Sequence, residues 1–452
     1  MENFLFDEFD KVSPAAWKQK IQVDLKGADY NDSLLWKSNE GISVKPFYTK
    51  EDRHNNKILL PKKGFKVCQS IYVDDVIIAN KLALDSLDRG ANAIQFTAKS
   101  TFDFKTLLAK INLDKISIYF NLEFLDTDFI ALLTNYCKEG LIYYQIDIIG
   151  NLAKTGNWFD HLQSDISQTK KLLSITNQSI CVHASLYQNA GATMHQELAY
   201  ALAHTNEYLE MFGKSVAAKI HFSFSVGGNY FFEIAKLRAF RLLISSLFQA
   251  HGVSDSRIHI FTIPSSRNKT IYDYNVNMLR TSSECMSAIL GGSDTISNLS
   301  YDSVYHKSNE FGERIARNQL LILQKEAYLS DSQQFANGAY YIENIEKQLA
   351  EKALMIFKQI EKKGGFLKQL KNGLIQKKIA ESAQHQQDQF DQNQLILLGS
   401  NKLPNINDRM KEELELYPFL KHTHSKTLIR PILLKRLSEN YEMDRLEKEK
   451  QS

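Results

Sequence analysis

Residues 179–211 read SICVHASLYQNAGATMHQELAYALAHTNEYLEM, and the parsing of this stretch decides the fold. Ile180, Cys181 and Val182 form a short apolar run that ends at His183 and Ser185, the pattern of a buried strand. After a turn at Ala190-Gly191-Ala192-Thr193, apolar residues return at Leu198, Ala201, Leu202 and Leu209, the spacing of one helix face. Strand, turn and helix make one βα unit, and the same rhythm extends in both directions. Strands are predicted at 67–73, 93–96, 116–122, 143–148, 179–185, 219–226, 257–263 and 294–299. Helices are predicted between them, among them 76–89, 126–136, 194–211, 230–249 and 275–290. Eight strands, each followed by a helix, predict an α/β fold of the (β/α)8 TIM-barrel type. An open doubly wound sheet would share part of this rhythm, but no GxGxxG follows the first strand, which argues against a dinucleotide site.

Two strands carry more than packing information. In 219–226 one face is His221, Ser223 and Ser225 and the other Ile220, Phe222, Phe224 and Val226. In 143–148 the faces are Tyr143, Gln145, Asp147 and Tyr144, Ile146, Ile148. Side chains alternate along a strand. The apolar faces should therefore meet the outer helices and the polar faces point into the barrel. Branched aliphatics ordinarily fill such an interior, so a polar one suggests either a polar ligand or a core that satisfies itself.

Around the barrel, residues 1–66 read as an N-terminal arm. Ser13-Pro14 is a helix start, with Trp17, Ile21 and Leu25 on one face and Gly27 as the stop. Trp17, Trp36, Phe47 and Tyr48 give the arm an aromatic surface that must bury itself on its own barrel or on a partner subunit. Residues 67–365 hold the barrel and two following helices, the second of which ends at Gly364-Gly365. Residues 366–452 turn rich in Gln and Lys, then in charge, and read as a linker and a solvated C-terminal tail.

Composition bounds the function. A net charge of +3 leaves no nucleic-acid footprint, and no apolar run is long enough to span a membrane. The acidic start MENFLFDEFDKV is not a signal peptide. Cys68, Cys137, Cys181 and Cys285 form no CxxC pair and read as core residues of a protein in a reducing, cytoplasmic compartment. Metal signatures are weak. His195-Gln196-Glu197 is not HExxH, and His422-Thr423-His424 lacks a third ligand nearby. Gly291-Gly292 suits a helix-to-strand turn better than a phosphate cradle. His183, His221 and His259 stand on three predicted strands and would bind a metal only if they converged.

Several long segments resemble one family, the small (β) subunits of heterodimeric bacterial methylmalonyl-CoA mutases. They are WKQKIQVDLKGADY, GISVKPFYTKED, SLYQNAGATMHQELAYALA, YDYNVNMLRTSSECMSAILGGSDTISNLSYD, GERIARNQLLILQKEAYL and NGAYYIENIEKQLAEKALMIFKQIEKKGG, in the family's order. The resemblance implies an acyl-CoA-binding barrel, and a mutase complex that interconverts succinyl-CoA and methylmalonyl-CoA through radicals made from adenosylcobalamin. It also implies a large catalytic (α) subunit as partner.

Two departures from the catalytic pattern bear on the role of this chain. The family's cobalamin domain carries Asp-x-His-x-x-Gly, whereas the Asp-x-His here, Asp52-Arg53-His54, lies in the arm and lacks the glycine. The linker-like LGSNKLPN is followed by fewer than 50 residues. The expectation is therefore that the cobalamin-binding domain is absent and that the cofactor sits on the large subunit. Catalytic subunits also place a Tyr-His pair before the Gln of QEAGAT, where this chain has Ser185 and Leu186. Leu186 cannot donate a hydrogen bond to a thioester carbonyl. No catalytic, cofactor or metal residue is carried over, and Ser185 and Leu186 are read as degenerate active-site positions. The leading expectation is a non-catalytic subunit that stabilises its partner. The alternatives are a catalytic mutase barrel that borrows a separately encoded cobalamin domain, and an unrelated barrel hydrolase or lyase using Asp147, His183 and His221.

Overall fold

The computed structural model describes residues 8–53, 58–61, 64–138, 140–254, 257–332, 334–420 and 426–451. Eight parallel strands follow one another, each overlapping a predicted one: β1 (Lys66–Tyr72), β2 (Ala93–Ala98), β3 (Ser117–Leu122), β4 (Leu141–Tyr144), β5 (Ile180–His183), β6 (Ile220–Val226), β7 (Ile260–Pro264) and β8 (Thr295–Ser297). Their spatial order is β4-β3-β2-β1-β8-β7-β6-β5. A parallel bridge between Ile146 and Ile180 joins the two ends, so the sheet closes into a barrel.

The alternation read from the sequence sorts the side chains as expected. Phe222 and Phe224 turn outward and both pack edge-on against Phe240 of the helix Tyr230–Ala250, ring centroids 4.7 Å apart. Inside the barrel, Tyr119, Tyr143, Cys68, Ala93 and Phe261 form a separate small core. Polar groups complete it. Tyr119 Oη bonds His259 Nε2 at 2.9 Å and Thr295 Oγ1 at 2.8 Å, and Gln95 Nε2 donates to Gln145 Oε1 at 2.6 Å. Gly292 (φ +85°) makes the predicted turn into β8, and its carbonyl accepts from Arg241.

Strand ends differ from the sequence reading at two places. The alternation of 143–148 suggested one strand, but β4 stops at Tyr144. Asp147 then caps the helix Ile148–Thr155 by accepting from Gly150 N at 2.7 Å. An N-cap carboxylate followed by Ile148, Ile149 and Leu152 on one buried face outweighs β-propensity here. Ser185, expected at a strand end, opens the short helix Ser185–Asn189.

The arm begins with the predicted helix, Pro14–Asp24, capped by Ser13. None of its residues is buried. The arm is pinned farther along. Glu40 accepts from Met194 N at 3.0 Å and His195 N at 3.1 Å, so a buried carboxylate caps the first turn of the helix Met194–Phe212.

The C-terminal part departs most from expectation. Instead of a solvated tail, the helix Leu374–Asp391 buries Ile375, Ile379 and Phe390, and the helix Glu439–Gln451 buries Leu446 together with Glu439, Glu442 and Glu449. Leu446 and Met410 join Ile271, Tyr272 and Tyr305 in a core beyond β7. The charges that read as solvated are used internally. Glu442 lies 2.6 Å from Arg436 Nη1 and accepts from Ile271 N at 3.0 Å, 171 residues away in sequence.

Candidate functional site

Ligands bind at the carboxyl ends of the strands in barrels of this kind. At that end, over β3 to β5, lies a cavity of about 460 Å³ lined by Asn121, Glu123, Gln145, Asp147, Lys154, His183, Ser185, Leu186, Asn189 and Leu434. Its chemistry centres on Asp147. This buried carboxylate accepts from Gly150 N (2.7 Å), His183 N (3.0 Å) and Tyr208 Oη (2.6 Å), and lies 3.3 Å from His183 Nδ1 and 3.0 Å from His204 Nε2. His204 in turn bonds Tyr187 Oη through Nδ1 at 2.9 Å.

The electrostatics follow from this arrangement. Burial alone would raise the pKa of Asp147, but His204 and His183 beside it hold it well below the usual carboxylate range. Burial works against a charged His183, yet Cys181 and Asp147 raise its pKa to about 10. The mouth therefore pairs an imidazole with a carboxylate that favours its protonated form, a group able to hold a proton at the cavity.

A group whose folded pKa is depressed contributes stability above its unfolded pKa and loses it as pH falls through the folded value. At pH 7 the contribution of Asp147 is thus fully present. Asp147→Asn is expected to cost about 2 kcal/mol in a calorimetric melt at pH 7 and to lower the pKa of His183 in an NMR titration. An unchanged His183 titration would refute this electrostatic account.

Of the residues singled out from sequence, Ser185 borders this cavity. Leu186 is buried in the main hydrophobic core at the cavity's edge. His183 stands at the mouth, whereas His221 and His259 lie inside the barrel, ring centroids 6.4 Å apart. Burial and the nearby His259 and His183 hold His221 well below the usual imidazole pKa. The three histidines do not converge, and among the described residues no group of three or more metal-ligating side chains occurs. His195 is tied to Glu40 at 2.7 Å and His204 to Asp147. His54, His422 and His424 lie outside the described residues.

The sequence reading did not pick out His204 and Tyr208 as site residues. Their spacing of four on one helix was the available signal, but it is equally that of a core face. In the arm, Trp17 stacks on Phe47, Trp36 meets Phe232 and Tyr48 meets Tyr341, with centroids 5.4–5.6 Å apart.

Comparison with known proteins gives a consistent set. The family described as methylmalonyl-CoA mutase matches residues 91–436. The chain is 31% identical over 487 aligned positions to the methylmalonyl-CoA mutase small subunit of Porphyromonas gingivalis, covering 99% of this chain and 78% of that relative. It is 28% identical over 455 positions to the methylmalonyl-CoA mutase of Cereibacter sphaeroides, covering 86% of this chain and 64% of that relative. The methylmalonyl-CoA mutase large subunit of Porphyromonas gingivalis is 30% identical over 50% of this chain and 33% of its own length.

Proposed function

Because the chain belongs to the methylmalonyl-CoA mutase family, we propose that it is the small, non-catalytic subunit of a two-chain mutase, an isomerase of succinyl-CoA and methylmalonyl-CoA. The observation that carries the non-catalytic role is the filled barrel. Tyr119 stacks on Tyr143 (4.7 Å) and Tyr143 on His259 (4.4 Å), Phe261 lies 4.8 Å from Tyr119, and His221 closes the ring edge-on to Tyr143 at 5.2 Å. Rings packed this closely inside the barrel are the proposed obstacle to an extended thioester on its axis. At the mouth, the apolar Leu186 stands where the family resemblance puts a hydrogen-bonding histidine.

Adenosylcobalamin is assigned to the large subunit. The cavity at Ser185, about 460 Å³, and a second beside Glu40 and Gln188, about 550 Å³, are of a size that holds drug-like ligands, smaller than a corrinoid with its nucleotide tail. Asp52, from the arm's Asp-x-His, is bonded to Thr49 N at 2.9 Å and to Lys45 Nζ at 2.6 Å. The residues present do not fit the cofactor.

Relatives named small and large subunit occur in one organism, which supports a large-subunit partner. The arm is the proposed contact. An 11-residue helix with nothing buried is too short to be stable alone in water. Trp17 is 56% and Trp36 50% exposed, with Phe47 beside Trp17; Tyr48, already on Tyr341, adds the inner edge. Co-expression with a large subunit is expected to give a 1:1 complex with all the mutase activity, while the isolated chain shows none and has no cobalamin absorbance. Trp17→Ala combined with Val23→Ser should weaken co-purification about tenfold or more. Failure of the wild-type chain to co-purify would refute the reading.

The Asp147–His183 pair favours one alternative, a catalytic barrel that borrows a separately encoded cobalamin domain. Turnover with such a domain and no large subunit would establish it.

A further inference from the structure

The mouth cavity has a wall that comes from far away in sequence. Residues 426–438 form no helix or strand and cross the carboxyl end of the barrel, from the loop after β4 to the loop after β7. Leu428 N and Ile429 N donate to Gly156 O at 3.0 and 3.1 Å, and Ile432 N donates to Ala153 O at 2.8 Å. Asn157 adds two bonds, accepting from Leu428 N at 3.1 Å and donating to Lys426 O at 3.4 Å. Gln376 Nε2 donates to Arg430 O at 3.0 Å. The seat is cut for this strap. Gly156 has φ +81°, and a Cβ there would come within 2.6 Å of Ile429 O and 2.8 Å of Thr427 Cβ.

The two ends of the strap are held very differently. Arg436 is buried, with Nη1 on Lys269 O at 3.0 Å, Nη2 on Pro418 O at 3.1 Å, and Glu442 at 2.6 Å. Ser438 Oγ donates to Glu442 at 2.7 Å, and Leu437 N donates to Arg267 O at 2.9 Å. Before Arg436 only Ile432 is buried, while Leu428, Leu433 and Leu434 are exposed. This stretch also borders two voids. Leu434 lines the mouth cavity, and 430–433 line another of about 230 Å³ against Ile379 and Ala383. A segment with one buried side chain, a handful of hydrogen bonds and voids on both sides belongs to the low-stability end of a fold, where local opening occurs.

We infer that residues 426–435 are a lid on the barrel mouth, hinged at Arg436, which lifts without unfolding of the barrel and so controls access to the cavity at His183 and Ser185. This holds whether or not the chain pairs with a large subunit.

The chain supplies its own control for the test, because Cys68, Cys137 and Cys285 are free, buried and away from the mouth cavity. Ile432→Cys places a further thiol under the lid. In the full-length chain under native conditions, this thiol is expected to react with a maleimide at least about tenfold faster than those three. Asn157→Ala, which removes the two side-chain bonds to the strap, should accelerate it at least a further fivefold and leave those three unchanged. Reaction of all four at one rate, in both backgrounds, would overturn the lid. Hydrogen exchange on the unmodified chain provides a second reading. The amides of Leu428, Ile429 and Ile432 should exchange well before those of β5 and β6, and exchange in step with those strands would also overturn it.

Discussion

Lys236→Met is expected to destabilise the fold by about 3–5 kcal/mol, enough to unfold much of the protein at 37 °C. Lys236 is fully buried, and its ammonium has three partners: Glu197 Oε2 at 2.8 Å, Glu233 Oε2 at 2.7 Å and Ser225 O at 2.6 Å. It thereby ties together β6 and the helices Met194–Phe212 and Tyr230–Ala250. Glu233 extends the tie by accepting from Gly227 N at 2.8 Å. Methionine matches the stem of lysine but leaves the buried Glu233 carboxylate without its cation and the Glu197 carboxyl without its donor. Removing one partner of a buried ion pair costs far more than the pair contributes, because the remaining charge is stranded.

The same cluster makes a pH prediction. Burial raises Glu197, Lys236 lowers it and Glu233 raises it, and the result stands at about 8. A carboxyl raised in the folded state holds a proton that the unfolded chain has released. Its stabilisation is complete below the unfolded pKa and fades as pH rises to the folded value. In that window, from about 4.3 to about 8, each pH unit costs up to about 1.4 kcal/mol. Glu197→Gln carries no such proton. Urea unfolding at pH 5.5 and 8 should therefore show the variant gaining on the wild type as pH rises, and a constant difference between them would refute the assignment.

What could be read from the sequence divides along physical lines. The barrel was legible because its elements are set by local periodicity. Alternation placed Phe222 and Phe224 outside and Tyr143 and His221 inside, as found. The end of β4 was not, because 143–148 alternates like a strand throughout and the capping bond of Asp147 is a three-residue event that alternation does not register. The C-terminal segment was misread for a different reason. Glu442, Glu449 and Arg436 look like solvated charge until Ile271 N, Met410 N and Lys269 O are brought to them, and those partners lie 171, 39 and 167 residues away. At the mouth, Asp147 and His183 were visible as polar residues at strand ends. The positions of His204 and Tyr208 under them depend on how a helix packs, which composition does not encode.

Gly191, in the NAGAT stretch that carries the family resemblance, gives the second large effect. Gly191→Ala should cost about 3–5 kcal/mol, from left-handed backbone strain added to overpacking. Gly191 has φ +101°, and a Cβ there would lie 2.5 Å from Ala383 Cβ and 2.9 Å from Ala383 Cα. Ser382 Oγ donates to Gly191 O at 2.8 Å, so the helix Leu374–Asp391 rests on this loop through its backbone. The glycine is thus required by its own backbone conformation and by a helix nearly two hundred residues away, not by chemistry at the mouth. Ala383→Gly tests this directly. Alone it should cost about 1 kcal/mol as a glycine inside a helix. Combined with Gly191→Ala it removes the closest clash and leaves those at Ala383 Cα and Arg267 Cζ, so the pair should cost about 1–2 kcal/mol less than the sum of the single changes. Strict additivity in urea unfolding would mean that the two residues do not meet, and that the C-terminal helix is not seated on the loop after β5.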